Sequence, residues 1–238
     1  MNGPARWHSL ADAGALRARA TELILDAAAR AIRARGRFLV ALAGGSTPLG
    51  VYASLRAATT DWAAWQIYFG DERCLPRGDA GRNSTLAAKA WLDHVPVNDE
   101  QVRPIPAELG ALRGAAAYAA ELRSVGQLDL VLLGLGVDGH TASLFPGHDW
   151  GTAPEAPDAL AVLDAPLPPA QRVSLSAARL SRSRAVLFLV EGEHKRGAVS
   201  RWRAGESLPA AAIRPPAGVD VLVTASLIEG GVARRASP

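Results

Sequence analysis

The chain has 238 residues, 49% of them hydrophobic and 21% charged, with a formal net charge of +3. That balance excludes global disorder, and no run of about 18 apolar residues offers a membrane span. The single cysteine, Cys74, excludes an intrachain disulfide, and arginines scattered without a run of five suit a small anionic substrate better than a nucleic-acid track.

In chain order, residues 9–35 predict a long amphipathic helix. Ser9 is placed as its N-cap, Leu16, Ala20, Leu23, Ala27 and Ala31 lie along one face, and Gly36 is the stop. Residues 37–43 (RFLVALA) predict a buried strand. Gly44, Gly45, Ser46 and Thr47 form a turn, and Pro48 suits the first position of the next helix. Residues 66–70 predict a second strand, 71–83 a polar loop and 84–92 a helix. Residues 96–106 read as irregular and 111–125 as helical. Residues 128–135 (LDLVLLGL) are the clearest buried strand, and 137–144 read as a loop leading into a helix. Residues 150–170 look like a surface excursion. Further strands are expected at 173–175, 185–190 and 219–224, with a helix near 193–202. Strands that alternate with helices, and whose apolar runs do not alternate, predict a single α/β domain over 1–238, a Rossmann-like, mostly parallel sheet flanked by helices.

Ligands of such sheets bind where strands run into loops, which directs attention to three segments. The Gly44–Thr47 turn can present backbone N–H groups, two hydroxyls and a helix N-terminus to an anion, or serve only as a capped strand–helix turn. It has neither Walker nor dinucleotide spacing. In Gly70-Asp71-Glu72-Arg73, the Arg73 fork matches two phosphate oxygens, with Asp71 left for sugar hydroxyls or another site group. The alternative is a self-neutralising loop, and Cys74 has no partner set of its own. In Asp138-Gly139-His140, histidine titrates near neutral pH and suits a general base, with Asp138 positioned to orient it. The alternative is a structural histidine, with Thr141 and Ser143 capping a following helix. Arg172 and Lys195 are further cations at strand and helix ends. No spacing of His, Cys and acids suggests a metal, and no Gly-x-Ser-x-Gly elbow suggests a serine nucleophile.

Taken together, Leu42-Ala-Gly-Gly-Ser-Thr-Pro48, Gly70-Asp-Glu-Arg73 with Asn83-Ser84, Gly134-Leu-Gly-Val-Asp-Gly-His-Thr-Ala-Ser-Leu-Phe-Pro-Gly147, Arg172-Val-Ser-Leu175 and Gly192-Glu-His-Lys195 resemble the 6-phosphogluconolactonase family. The Gly-Gly-Ser-Thr-Pro and Asp-Gly-His pieces are shared with the related glucosamine-6-phosphate deaminases. The resemblance implies a fold like that of the sugar-phosphate isomerases and deaminases. It also implies hydrolysis of 6-phospho-D-glucono-1,5-lactone to 6-phosphogluconate, the second step of the pentose phosphate pathway. His140 is then the base, Arg73 and Lys195 phosphate ligands, and Arg172 a further ligand. No cofactor is implied. The lactone is the expected partner, with neither nucleic acid nor membrane. Coupling to glucose-6-phosphate dehydrogenase would be functional, without a stable complex, for a monomer or weak dimer. With no basic start and apolar run at the N-terminus to read as a signal peptide, the cytoplasm is the expected compartment.

Two other readings compete with this one. A deaminase carries an acid shortly after the histidine, whereas here none precedes Asp149. A sugar-phosphate sensor normally carries a DNA-binding segment, and no helix-turn-helix stands outside the strand–helix frame.

Overall fold

The computed structural model describes residues 3–228. It opens with strand β1 (Ala5–Leu10) where a helix was expected from Ser9. Helix α1 (Ala13–Arg35) starts later because Asp12 is its N-cap, accepting the Ala15 N–H at 2.8 Å. Gly36 ends it in the left-handed conformation, φ 68°, and donates to the Ile32 carbonyl.

Strand β2 (Phe38–Leu42) leads to α2 (Ser46–Leu55), in which Pro48 is the third residue rather than the first. Strand β3 (Trp65–Phe69) runs through Gly70 into β4 (Asp71–Arg73), which occupies the start of the expected polar loop. Helices α3 (Asn83–Ala90) and α4 (Ala111–Leu122) and strand β5 (Leu130–Leu133) follow within a few residues of expectation. Between α3 and α4 a short 3-10 turn, Asp99–Gln101, interrupts the irregular stretch. The expected surface excursion contains β6 (Ala159–Val162). Strand β7 (Arg172–Leu175), helix α5 (Ala177–Ser181) and strand β8 (Val186–Val190) come next. A 3-10 turn at Glu193–Lys195 then continues as α6 (Arg196–Arg203), ahead of β9 (Val219–Thr224).

Two sheets result. Six strands in the order β1-β9-β8-β5-β2-β3 form a sheet whose pairs are all parallel, and β4-β7-β6 form a small antiparallel sheet. Gly70 belongs to both: its N–H donates to Leu42 O at 2.8 Å and its carbonyl accepts from Leu175 N at 2.8 Å. Strands β2, β5 and β8 are buried at every residue, which is why they read as unbroken apolar runs. Trp62, Trp65 and Trp91 pack with ring centroids 4.8–5.7 Å apart beside β3. Each such fully buried apolar side chain contributes about 1.5–3 kcal/mol over its exposed state. Among the described residues no helix is long and apolar enough to cross a membrane.

After β2 the chain crosses to β3 on one side, and after β5 it crosses to β8 on the other. The crevice outside the carboxyl ends of β2 and β5 is therefore the switch point of the sheet.

Candidate active site

Two buried tyrosines hold the strand ends that face this crevice. Tyr52, on α2, accepts the Ala43 N–H at 2.9 Å and donates to the Ala43 carbonyl at 2.8 Å. Tyr118, on α4, does the same for Phe69, at 3.1 and 3.3 Å. Burial pushes both phenols well above their usual pKa, so both stay neutral. The Gly44 turn and the Gly70 junction thus leave the sheet from pinned residues. No spacing in the sequence marks either tyrosine.

The cleft is lined by Gly44, Gly45, Ser46, Thr47, Asp71, Arg73, Gly134, Gly136, His140, Ala142, Arg172 and Lys195, with a few apolar neighbours. Every candidate residue is on its wall except Asp138, which stands behind His140. Gly45 sits at the N-cap of α2 with φ 102°, a conformation open to glycine. A Cβ on Gly44 would collide with the Asn83 amide. Thr47 is 2% exposed, and its Oγ1 has no hydrogen-bond partner among the described residues, at the positive end of α2.

Arg73 and Arg172 stand directly opposite each other on β4 and β7. Arg73 uses Nη1 on Gly81 O at 2.5 Å, and its buried Nε has no hydrogen-bond partner among the described residues. Arg172 donates to the carbonyls of Leu167, Pro168 and Pro169. Burial lowers the Arg172 guanidinium against the pull of Asp71, and the charge of Arg73 lowers it further. Lys195 reaches the cleft from the turn ahead of α6, its ammonium also lowered by burial while Glu191 opposes the shift. Three cations gathered at such a spot call for an anion.

Asp71 is 5% exposed and accepts from Asn83 Nδ2 at 3.0 Å and Ser143 Oγ at 2.6 Å. Glu72, fully buried, accepts from the backbone of Arg73, Asn83 and Ser84 and from the Ser84 hydroxyl. It ties β4 to the start of α3, with Arg82 at 3.4 Å. The acid pair therefore divides its work: Asp71 faces the cleft and Glu72 holds the frame. Nothing in the spacing along the chain assigns these roles to Glu72, Asn83 and Ser143. The two adjacent acids before Arg73 were the available signal.

His140 lies in a tight turn, with Gly136 N–H on His140 O at 2.8 Å and Gly139 N–H on Gly136 O at 3.0 Å. These two amides are spent inside the turn and are not free to meet an oxyanion. No helix follows: Thr141 pairs with Leu144 in an isolated bridge, and the Thr141 hydroxyl donates to Gly134 O. The expected caps at Thr141 and Ser143 are thus replaced by contacts that close the loop onto β5 and Asp71. Ala142 takes a left-handed φ of 49°, a conformation costing about 1–2 kcal/mol outside glycine.

Asp138 Oδ1 takes both the backbone N–H of His140, at 3.0 Å, and its Nδ1, at 2.6 Å. Partial burial alone would raise the Asp138 carboxyl. The His140 backbone bond, charge and ring contact outweigh it and hold the group below its usual value. An ionised Asp138 fixes the proton on Nδ1, so Nε2 is the nitrogen left to act as a base. Among the described residues no three His, Cys, Asp or Glu side chains gather as a metal site.

Residues 11–222 match the family described as glucosamine-6-phosphate isomerases/6-phosphogluconolactonase. The chain is 35% identical over 217 residues to the 6-phosphogluconolactonase of Mycobacterium tuberculosis, covering 84% of this chain and 87% of that one. It is 36% identical over 211 residues to that of Streptomyces coelicolor, covering 81% and 79%. The fold superposes on the 6-phosphogluconolactonase of Thermotoga maritima with a TM-score of 0.84 at 26% identity, covering 92% of this chain and 99% of the other. The Trypanosoma brucei enzyme gives 0.84 at 27%, covering 98% and 100%. The chain belongs to the glucosamine-6-phosphate isomerase/6-phosphogluconolactonase family.

Proposed function

We propose that this chain hydrolyses 6-phospho-D-glucono-1,5-lactone to 6-phospho-D-gluconate, the second step of the oxidative pentose phosphate pathway. One observation carries this reading. An Asp138-held histidine base shares a single cleft with Arg73, Arg172, Lys195 and the N-terminus of α2. The cations and the Gly44–Thr47 turn take the phosphate dianion, which brings the lactone carbonyl toward His140. Nε2 removes a proton from water, and the hydroxide attacks C1. The C1–O5 bond of the tetrahedral intermediate then breaks, and the imidazolium returns the proton to O5. A lactone is an activated ester, so a base worth about 10²–10⁴-fold with positioning is enough. Asp71, held by Asn83 and Ser143, is placed to accept sugar hydroxyls.

The cleft supports hydrolysis over amine expulsion because Asp149, the first acid after His140, is turned to the Gly151 N–H rather than into the cleft. The same reading makes the chain a single-domain cytoplasmic enzyme, monomer or weak dimer, without a cofactor. It is fed by glucose-6-phosphate dehydrogenase without a stable complex. A coupled assay tests it: the dehydrogenase makes the lactone, and 6-phosphogluconate is followed with and without this protein. Wild type should accelerate its appearance and His140→Ala should lose most of kcat. Equal rates with and without the protein would overturn the reading, and ammonia release from glucosamine 6-phosphate would favour the deaminase instead.

A further inference from the structure

Asp138 grips the His140 imidazole at one edge and the Gly136 backbone meets the ring beside Nδ1, which leaves the Nε2 side of the ring to be held by something else. The ring plane is met by Phe145. Its centroid lies 4.8 Å from that of His140 at 46°, and it is 1% exposed. Phe145 is itself fixed from several sides. Its carbonyl accepts the Trp150 indole N–H at 2.7 Å and the His148 N–H at 3.2 Å. The Arg172 guanidinium lies 5.6 Å from its ring centroid, within cation–π range. Phe145 does not belong to the main core. With Val162 and Ala165 it forms a separate small cluster between the antiparallel sheet and the catalytic loop. A large buried ring held apart from the core and packed at a tilt against a base is placed for orientation rather than for stability of the sheet.

We propose that Phe145 is a positioning residue: it clamps the face of His140 while Asp138 clamps its edge, so that Nε2 keeps one aim into the cleft. Arg172 backs the clamp, linking the cation wall to the base. The kinetic part of this inference rests on the lactonase reading. The ring-orientation part does not.

The test pairs ring ¹H and ¹⁵N NMR of His140 with lactone kinetics in wild type, Phe145→Leu, Phe145→Tyr and Val162→Ala. Wild type should show the Nδ1–H tautomer alone. In Phe145→Leu the Nδ1–H tautomer should persist, since the Asp138 bond is kept, while the ring Hδ2 and Hε1 signals broaden as the ring exchanges between orientations about that bond. There kcat should fall about tenfold or more with KM within about twofold, because orientation acts on the reacting geometry rather than on phosphate binding. Phe145→Tyr, which keeps the planar face, should recover the wild-type ring signals and most of kcat. Val162→Ala loosens the same cluster without touching the ring pair and should leave both readouts as in wild type. If Phe145→Leu does not fold, Phe145→Met, of similar volume without a planar face, carries the same expectations. His140 ring-proton signals as sharp as in wild type in the Leu or Met variant would overturn the proposal, and so would an equal kcat loss in Val162→Ala. If wild type hydrolyses no lactone but the ring signals respond as stated, the functional reading fails and the clamp stands.

Discussion

Arg73 and Arg172 face each other across β4 and β7, two like charges at one position of an antiparallel pair, both on the cleft wall. Such a pair is unfavourable until an anion lies between its members. Saturating 6-phosphogluconate at about a hundred times its Kd should therefore stabilise the protein by about 2.7 kcal/mol, or about 5–10 °C in Tm. Arg73→Ala should raise KM about 10–100-fold, the worth of one or two charged hydrogen bonds, with kcat changed less. Unchanged KM in that variant would remove Arg73 from the phosphate site.

On the proposed function Lys195 meets the same anion, and its proton reports the meeting. Burial holds its ammonium below the usual value, so above that lowered value part of the free enzyme carries a neutral amine. A bound phosphate restores the charged form, and binding must then take up a proton. Titration calorimetry of 6-phosphogluconate in buffers of different ionisation enthalpy should show proton uptake growing with pH in wild type and absent in Lys195→Met. The sign for folding is the same in origin. The folded state binds fewer protons than the unfolded between the lowered and ordinary lysine values, so this residue's contribution to stability rises with pH across that window.

Gly136 and His140 exclude any side chain between them: a Cβ on Gly136 would fall inside the imidazole. Gly136→Ala should expel the ring from its Asp138 contact. The expected result is a kcat loss approaching that of His140→Ala, with phosphate binding preserved. Near-normal kcat would show that the turn yields more easily than its hydrogen bonds suggest.

Asp138→Asn should leave His140 in place but release the tautomer, lowering kcat by more than it changes KM. The Asp138 carboxyl is held below its usual value, so its contribution to stability is present above the ordinary carboxylate range, near pH 4. It is lost as pH falls through the lowered folded value. Acid unfolding of Asp138→Asn followed by circular dichroism should therefore lose less stability over that interval than wild type. Superimposable profiles would contradict the assignment.

Tyr52→Phe and Tyr118→Phe each strip both polar partners from one buried residue, Ala43 or Phe69. Each should cost about 1–3 kcal/mol in denaturant unfolding. Tyr52→Phe should also raise KM, because Ala43 sets the start of the Gly44 turn.

The sequence exposed what depends on local pattern. Strands β2, β5 and β8 are covered on both faces and so appear as apolar runs, and the glycine-bounded segments after β2, β3 and β5 carried the candidate site residues other than Arg172 and Lys195. It hid what depends on distant partners. Strand β1 is an edge strand with a mixed pattern, and its existence rests on β9 more than two hundred residues later. Strands β4 and β6 are short and exist through β7. Ser9 and Asp12 are both competent caps, and β1 decided between them by consuming Ser9. Thr141 and Ser143 looked like helix caps because their hydroxyls suit that task, but their partners, Gly134 and Asp71, lie across the loop. The Arg73–Arg172 opposition follows from β-register, which spacing along the chain does not report.

Gly70 hydrogen-bonds to Leu42 in one sheet and to Leu175 in the other. The wall that bears Arg73 and Arg172 is thus fixed to the end of β2 at one residue and to the loop that bears His140 through Ser143 on Asp71, and the span between them is a built-in length of the molecule. The cleft acts as a gauge. A phosphorylated lactone is measured on it by the reach from its phosphate to its carbonyl, and a homologue one carbon shorter or longer would seat its phosphate yet present its carbonyl short of, or past, the base.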